Sequence, residues 1–393
     1  MPDTIKVFHF HNGTGGGVLS VIRNLLLFKQ HAHIENHVIY TINKEKNNQY
    51  ITPGLKGASS EQVFYYSSNW NFYYTSKQLA KLLPNEQCLL VAHDWLELGM
   101  VSNLGLQNPV IHFLHGNYDY YFNLAMKHEK NIDAFICIAG TIYETLIQLL
   151  PHRKNDIFYK RFPVHDIKNN QKNNKIQKIG FVGRCEELKG YQVLPKIAEE
   201  LCKLNQSVEW HIIGTGSLEI FNQNLWASQH AVKFYGELNN DEVLTLLLSF
   251  DYLLLPSLAE GMSVIVIEAM KAGVIPVVND LPGGMQEIVI NGETGYRIPN
   301  NAPIDYAEKV TFLNENIAIR KLIESKAKQL ADEWFNPQIN TSEIEKLFNQ
   351  ISSKKRNVKT KQKIYGSRLD QPWLPNSFVM IIRSFKLKKP FKQ

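Results

Sequence analysis

Short apolar runs alternate along this chain with amphipathic segments of helical length. Ile5–Phe10, His37–Thr41, Cys88–Ala92, Val110–Leu114 and Ala134–Ile138 read as strands, and a first helix spans about Val18 to Gln30. Runs this continuously apolar suit strands covered on both faces, the pattern of a parallel α/β sheet. The pattern stops at Asp166–Gln177, where Asn, Lys and Gln leave almost no apolar content, as in a solvated linker. Alternation then resumes. Ile179–Val182, Trp210–Ile213, Val232–Tyr235, Tyr252–Leu255 and Ile275–Val278 read as strands; Gln192–Leu204, Asp241–Ser249, Val264–Ala272 and Met285–Ile290 read as helices. The expected organisation is a Rossmann-like domain over 1–165, a linker over 166–177 and a second such domain over 178–345. A helix around Asn340–Ile351 then leads into a C-terminal segment, 346–393 in all. Short repeats are absent.

Composition bounds this picture without changing it. The 393 residues are 44% apolar and 20% charged, which excludes collagen-like, disulfide-scaffold and globally disordered classes. Four scattered cysteines (Cys88, Cys137, Cys185, Cys202) fit free thiols in a reducing compartment. Met1–Phe10 lacks the charged-then-apolar order of a signal peptide, and no run of 18 apolar residues occurs, so a cytoplasmic location is expected. Charge is more informative. The total is +6, yet Ser353–Gln393 holds 12 Lys or Arg against the single Asp370, a net of +11. The rest holds 31 basic and 36 acidic side chains, a net of −5, so a basic tail overturns the sign of an acidic body.

In paired doubly wound domains, ligands bind beyond the carboxyl ends of the strands. There Gly183-Arg184 is followed by Lys189-Gly190, an Arg and a Lys five apart that can converge on one anion; a solvated loop is the bland alternative. Next, Pro256-Ser257 leads to Glu260-Gly261-Met262-Ser263 and, inside the following helix, Glu268. Gly261 permits close backbone approach, and the amides of Ser263 and Val264 form an anion site at the helix start. Glu260 as a helix cap and Glu268 as a salt-bridged acid are the alternatives. Asn279–Glu287 forms a further Gly-rich loop, and Asn291–Tyr296 a tight turn.

The ordered set Gly-Arg-x4-Lys-Gly, Pro-Ser-x2-Glu-Gly-x6-Glu-Ala-Met, Gly-Gly-x2-Glu-Ile and Asn-Gly-x-Thr-Gly-Tyr closely resembles the donor half of retaining nucleotide-sugar glycosyltransferases of family 4, which have the GT-B fold. The resemblance is strong over about Ile179–Ile298. It implies two Rossmann-like domains facing each other across a cleft, with Arg184 and Lys189 on the donor diphosphate. It further implies Glu260 on the donor-sugar hydroxyls, Glu268 on the ribose and the Phe234-Tyr235-Gly236 backbone beside the base. In the first half, Gly15-Gly16-Gly17 matches the family's N-terminal glycine loop, although a sharp turn explains it too. His93-Asp94-Trp95 resembles a family segment, with Val91 in place of a histidine. His115 aligns with a histidine near the donor sugar and leaving phosphate.

Other signals are weaker. Gly214-Thr-Gly216 is half a dinucleotide fingerprint, but Glu219 replaces its third glycine. His31, His33 and His37 straddle a helix end and a strand start with no acids or cysteines to complete a metal site. The aromatic run Phe64–Tyr74 suits either an acceptor cleft or core packing. The resulting expectation is sugar transfer from a nucleoside-diphosphate sugar to a glycan or lipid-linked acceptor, with retention, in surface-polysaccharide synthesis. No cofactor is expected, and no metal, since no Asp-x-Asp motif occurs and Arg184, Lys189 and the helix start supply positive charge. The rivals are a sugar-nucleotide epimerase, a phosphorylase, or a non-catalytic sugar-nucleotide-binding partner. For the tail, docking on an anionic membrane surface and a return onto the N-terminal half are compatible readings; nucleic acid is not an expected partner.

Overall fold

A computed structural model of the chain describes residues 4–14, 16–46, 54–167, 176–218, 226, 231–354 and 358–387. They form two compact units. The first holds residues up to Ile138, Ile142–Phe162 and the chain from Gln338 onward; the second holds Ala139–Thr141 and Pro163–Pro337. These divisions fall at Phe162/Pro163 and Pro337/Gln338, against the 165/166 and 345/346 expected from the sequence.

The first unit begins β1 (Ile5–His11), α1 (Gly17–Leu27), β2 (Ile34–Asn43), β3 (Ser60–Tyr66), α2 (Phe72–Ala80) and β4 (Leu89–Ala92). It continues through α3 (Trp95–Leu104), β5 (Val110–Leu114), α4 (Asp119–His128), β6 (Ala134–Cys137), α5 (Gly140–Leu149) and β7 (Ile157–Tyr159). Its sheet is parallel, in the order β3-β2-β1-β4-β5-β6-β7. The second unit comprises β8 (Gln177–Val182), α6 (Leu194–Lys203), β9 (Val208–Ile213), β10 (Val232–Phe234), α7 (Asn240–Leu247) and β11 (Tyr252–Leu255). It then adds α8 (Val264–Lys271), β12 (Ile275–Asn279), α9 (Gly284–Ile288), β13 (Tyr296–Ile298), α10 (Pro303–Glu315) and α11 (Ile317–Trp334). Its order, β10-β9-β8-β11-β12-β13, is the doubly wound arrangement in which the direction of strand addition reverses between the first and fourth strands. Central strands such as β4, β11 and β12 are buried along their whole length, as their unbroken apolar runs require.

Each sheet therefore has one switch point, β1/β4 in the first and β8/β11 in the second, and ligands enter such sheets beside it. The loops singled out from the sequence follow these strands.

Several elements differ from the sequence reading. The aromatic run Phe64–Tyr74 is split: Phe64 and Tyr66 are buried at the end of edge strand β3, and Asn71 caps α2 through a bond from the Tyr73 amide. The Asn291 turn closes at Gly295 and at once becomes β13. Of the polar stretch 166–177, residues 168–175 lie outside those described. Its ends are fixed: Asp166 bonds the buried Lys271 (2.8 Å), and Gln177 opens β8.

The chain returns to the first unit through α12 (Pro337–Ser353). The Glu345 carboxylate, buried, accepts bonds from the amides of Gln30 and His31 and lies 2.7 Å from His31 Nδ1. His33 meets Asn349 and His37 meets Ser60, so the three histidines of the candidate metal run go to three separate partners.

Residues 358–387 then strap across the same unit. Lys359 forms a buried pair with Asp133 (2.7 Å), the Gln362 amide donates to the Ser102 carbonyl, and Tyr365 Oη lies 2.9 Å from His128 Nε2. Asp370 accepts from the Phe72 amide (2.6 Å) and pairs with Arg383 of α13 (Asn376–Leu387). The return onto the N-terminal half is therefore present. Lys355, Arg356, Lys388 and Lys389 lie outside the described residues, as do Gly15 and Glu219. No described helix is long and apolar enough to cross a membrane.

Candidate functional site

In the second unit two loops at the switch point are laced together. After β8, the chain makes a 3-10 turn over Glu187–Lys189 that ends on Gly190 at φ 69°. A Cβ on Gly190 would lie 1.8 Å from the Pro256 carbonyl oxygen, so only glycine lets the turn pack on the loop after β11. The Leu258 amide donates to the Leu188 carbonyl, while Asn279 and Asn301 donate to the carbonyls of Ser257 and Pro256. Asn279 ends β12 and Asn301 closes the 3-10 turn after β13, positions where the sequence does not distinguish a loop-bracing amide from an ordinary strand-end or turn residue.

This lacing brings Lys189 Nζ to 2.6 Å from Glu260 Oε1, an oxygen that also accepts from Ser257 Oγ. The two residues expected to hold diphosphate and sugar are thus joined, and both are mostly buried. Arg184, half exposed, pairs with Glu186 at 2.9 Å. Gly261 leads into Met262 and Ser263, both buried. Ser263 precedes the first turn of α8 in extended geometry and does not cap it with its hydroxyl, which leaves the turn's amides to other acceptors. Val264 opens that helix, and Glu268, five residues in, is buried on it. Tyr235 stacks on His211, and its hydroxyl lies 2.8 Å from His211 Nδ1, so its side chain is committed within the unit.

The Gly214-Thr-Gly216 stretch has a packing role. Added Cβ atoms would lie 1.9 Å from the Gly183 carbonyl oxygen and 2.5 Å from that of Cys185, and the Cys185 amide donates to Thr215. These glycines let the loop after β9 close on the loop bearing Arg184.

The first unit has a cavity of about 330 Å3 at its own switch point, lined by His11, Asn12, Gly16, Gly17, His93, Asp94 and Tyr120 among others. Gly16 sits at φ 130° before α1 with open space where a side chain would stand, so the backbone itself forms the wall. Asp94 caps α3 in a reciprocal box with Glu97 and holds Asn12 (2.8 Å) and Tyr120 across the cavity. Burial, reinforced by Asp94, pushes the Glu97 carboxyl up to about 8. His115 reaches this wall through His93, whose Nδ1 lies 2.7 Å from His115 Nε2; His93 Nε2 continues to His9, and His9 to Asn36. Burial lowers His115 to about 3 and His9 to about 4, so the chain is of neutral imidazoles. Of the cavity's polar groups, His11, Asn12 and Tyr120 carried no motif signal; His11 ends β1 and Asn12 follows it, and the switch-point rule alone marks them.

Residues 164–330 match the family described as glycosyl transferases group 1. The chain is 25% identical over 236 residues to the uncharacterized glycosyltransferase MJ1178 of Methanocaldococcus jannaschii, covering 59% of this chain and 63% of that one. It is 25% identical over 213 residues to the capsular polysaccharide biosynthesis glycosyltransferase CapM of Staphylococcus aureus, covering 50% and 53%. The chain thus spans less than two thirds of these relatives. HepE of Anabaena, crystallised with UDP and glucose, has the same fold at TM-score 0.69, with 15% identity over 88% of this chain and 99% of that one.

Proposed function

Because residues 164–330 match the group 1 glycosyltransferases and the chain has a GT-B fold, we propose that it moves a sugar from a nucleoside-diphosphate sugar to a glycan or lipid-linked acceptor. The observation that carries this reading is the Lys189–Glu260 pair beside Arg184 and the start of α8. Breaking the anomeric C–O bond builds negative charge on the departing diphosphate and positive charge on the sugar. Lys189, Arg184 and the amides at Ser263 and Val264 stabilise that diphosphate where its charge develops. When the donor arrives, phosphate oxygens replace Glu260 as the partner of Lys189, and the carboxylate turns to the sugar hydroxyls. Lys189 thus keeps an anionic partner, and the carboxylate, though no longer ion-paired, stays hydrogen-bonded.

Transfer proceeds with retention, by same-face attack in which the leaving phosphate takes the acceptor proton, and without a metal ion. No protein nucleophile is assigned. Glu268 binds the ribose, and the Tyr235 segment lies beside the base. The acceptor belongs to surface-polysaccharide synthesis, the process named for the Staphylococcus relative. The chain works in the cytoplasm, peripherally on the anionic inner face of the membrane. Support for that placement comes from α13, which buries Val379 but exposes Phe378 and Ile381 by half or more. The sequence continues into Lys386, Lys388 and Lys389.

Nucleotide release from a panel of UDP-, GDP- and ADP-sugars, with and without EDTA, tests the reading. One donor class is expected to turn over, unaffected by EDTA, with Lys189→Ala and Arg184→Ala each lowering kcat/KM by about 10²–10³. Turnover unchanged in both variants overturns the diphosphate assignment, and loss with EDTA overturns metal independence.

A further inference from the structure

The first unit has a second cavity, of about 260 Å3, and its wall is built jointly by the loop after β3, the head of α3 and the C-terminal strap. We propose that it binds one neutral pyranose ring of the acceptor, as a subsite that the C-terminal segment completes. The proposal rests on the glycosyltransferase reading and extends it.

Three rings form the box. Phe72 and Trp95 stack at 5.6 Å between centroids, and Tyr365 of the strap stands edge-on to both, at 6.0 and 5.5 Å. Gly99 of α3 makes the arrangement possible: a Cβ there would lie 2.6 Å from the Phe72 ring and 3.0 Å from that of Tyr365. The walls are held before any ligand arrives. Arg383 donates to the carbonyls of Ser68 and Trp70 and pairs with Asp370, which also holds the Phe72 amide, and Tyr365 is anchored on His128. Preorganised aromatic faces need no ordering on binding.

The charges in the cavity satisfy each other, so a neutral ligand fits better than a phosphate or an acidic sugar. Its volume lies just below the 300–1,000 Å3 typical of sites for drug-sized ligands, room for about one ring. Leu96 is the only Leu, Ile, Val or Met in the lining, which suits the C–H face of a sugar and does not suit a polyprenyl chain. Position completes the case. Trp95 follows Asp94 of the first cavity, and the loops that line the two cavities follow strands of one parallel sheet at their carboxyl ends.

Saturation-transfer NMR on the full chain tests this, with methyl glucoside, methyl galactoside, methyl N-acetylglucosaminide and n-octyl glucoside as probes and UDP in the same tube. Transfer to the ring protons of at least one methyl glycoside is expected. Tyr365→Ala and Trp95→Ala should weaken it up to about tenfold, while Tyr365→Phe, which keeps the ring, retains it. A melting curve for each variant separates loss of stacking from loss of fold, and Trp70→Ala is the substitute where either alanine variant unfolds. Transfer confined to the octyl chain, or ring transfer unchanged in folded variants, overturns the proposal. So does UDP saturation with no glycoside saturation. Glycoside binding without UDP binding overturns the donor assignment and leaves the subsite standing.

Discussion

Seven histidines of the first unit, His9, His11, His37, His93, His112, His115 and His128, are pushed below their ordinary value, in each case chiefly by burial. In the bonded run His115–His93–His9–Asn36, the Asn36 carbonyl faces His9 Nε2, so that nitrogen donates. The donor then passes along the run to His115 Nε2, which leaves His115 Nδ1 as an acceptor. His9, His11, His112, His115 and His128 have folded values of about 3 to 4, below the unfolded value of about 6.5, so the unfolded chain binds more protons across that window. Stability is full above pH ~6.5 and falls as pH drops, at about 1.4 kcal/mol per pH unit for each histidine. Urea midpoints are expected to decline steeply between pH 7 and 5, and His128→Gln to flatten the decline relative to the parent. Midpoints constant over that range would show that these imidazoles charge freely. At this scale the placement of the loops was legible wherever several residues formed an ordered motif: Arg184, Lys189, Glu260 and Glu268 all fall at or beside the switch point of the second sheet. Lone residues such as His11 and Asn12 were not, because nothing at a strand end separates a binding group from a turn residue. The pairing of Lys189 with Glu260 was also hidden, since it depends on how two loops separated by about 70 residues are laced.

Among the elements, the glycines of the donor half carry the clearest expectation. Gly190 is needed both for its left-handed backbone and for its contact with Pro256. Gly190→Ala combines a left-handed strain of about 1–2 kcal/mol with a direct overlap. A lowered melting temperature, together with a raised donor KM as Lys189 moves from Glu260, is the expected result; an unchanged KM would mean the two loops are positioned independently. Strands with continuous apolar runs were readable to within a few residues, and Val110–Leu114 and Tyr252–Leu255 to the residue. Edge strand β3 was not, since it exposes Val63 and Tyr65 while burying Phe64 and Tyr66, and its aromatics blur the alternation. Helices α10 and α11 escaped for a similar reason: Ile304, Phe312, Ile317 and Leu322 are apolar yet exposed, which obscures the helical period.

Across the whole molecule, the +11 tail is less of a free cationic arm than its composition suggests. Lys354, Lys359 and Arg383 are spent on Asp156, Asp133 and Asp370 within the first unit. A chain ending at Ser353 therefore leaves Asp133 buried without its lysine, a loss of about 3–5 kcal/mol, and uncovers Phe72 and Trp95. The first unit of that chain should melt earlier in calorimetry, with the second unit's transition in place. Cosedimentation with phosphatidylserine-containing vesicles should fall to the level seen with phosphatidylcholine alone. Undiminished sedimentation would refute the tail's part in membrane docking. A basic tail was visible from charge counting, whereas its role as a strap was not: a buried ion pair such as Lys359–Asp133, 226 positions apart, leaves no local pattern.

The strap also fixes an order of events at the ribosome. Apart from Ala139–Thr141, the second unit lies within one stretch of chain, but the first is written in larger pieces, and Tyr365 is synthesised about 200 residues after Phe162. At ~5–20 residues per second, that interval lasts about 10–40 s. Throughout it the nascent first unit exists without its last wall, its Phe72 and Trp95 rings open to water and to other chains. The domain that begins first is thus the one that finishes last.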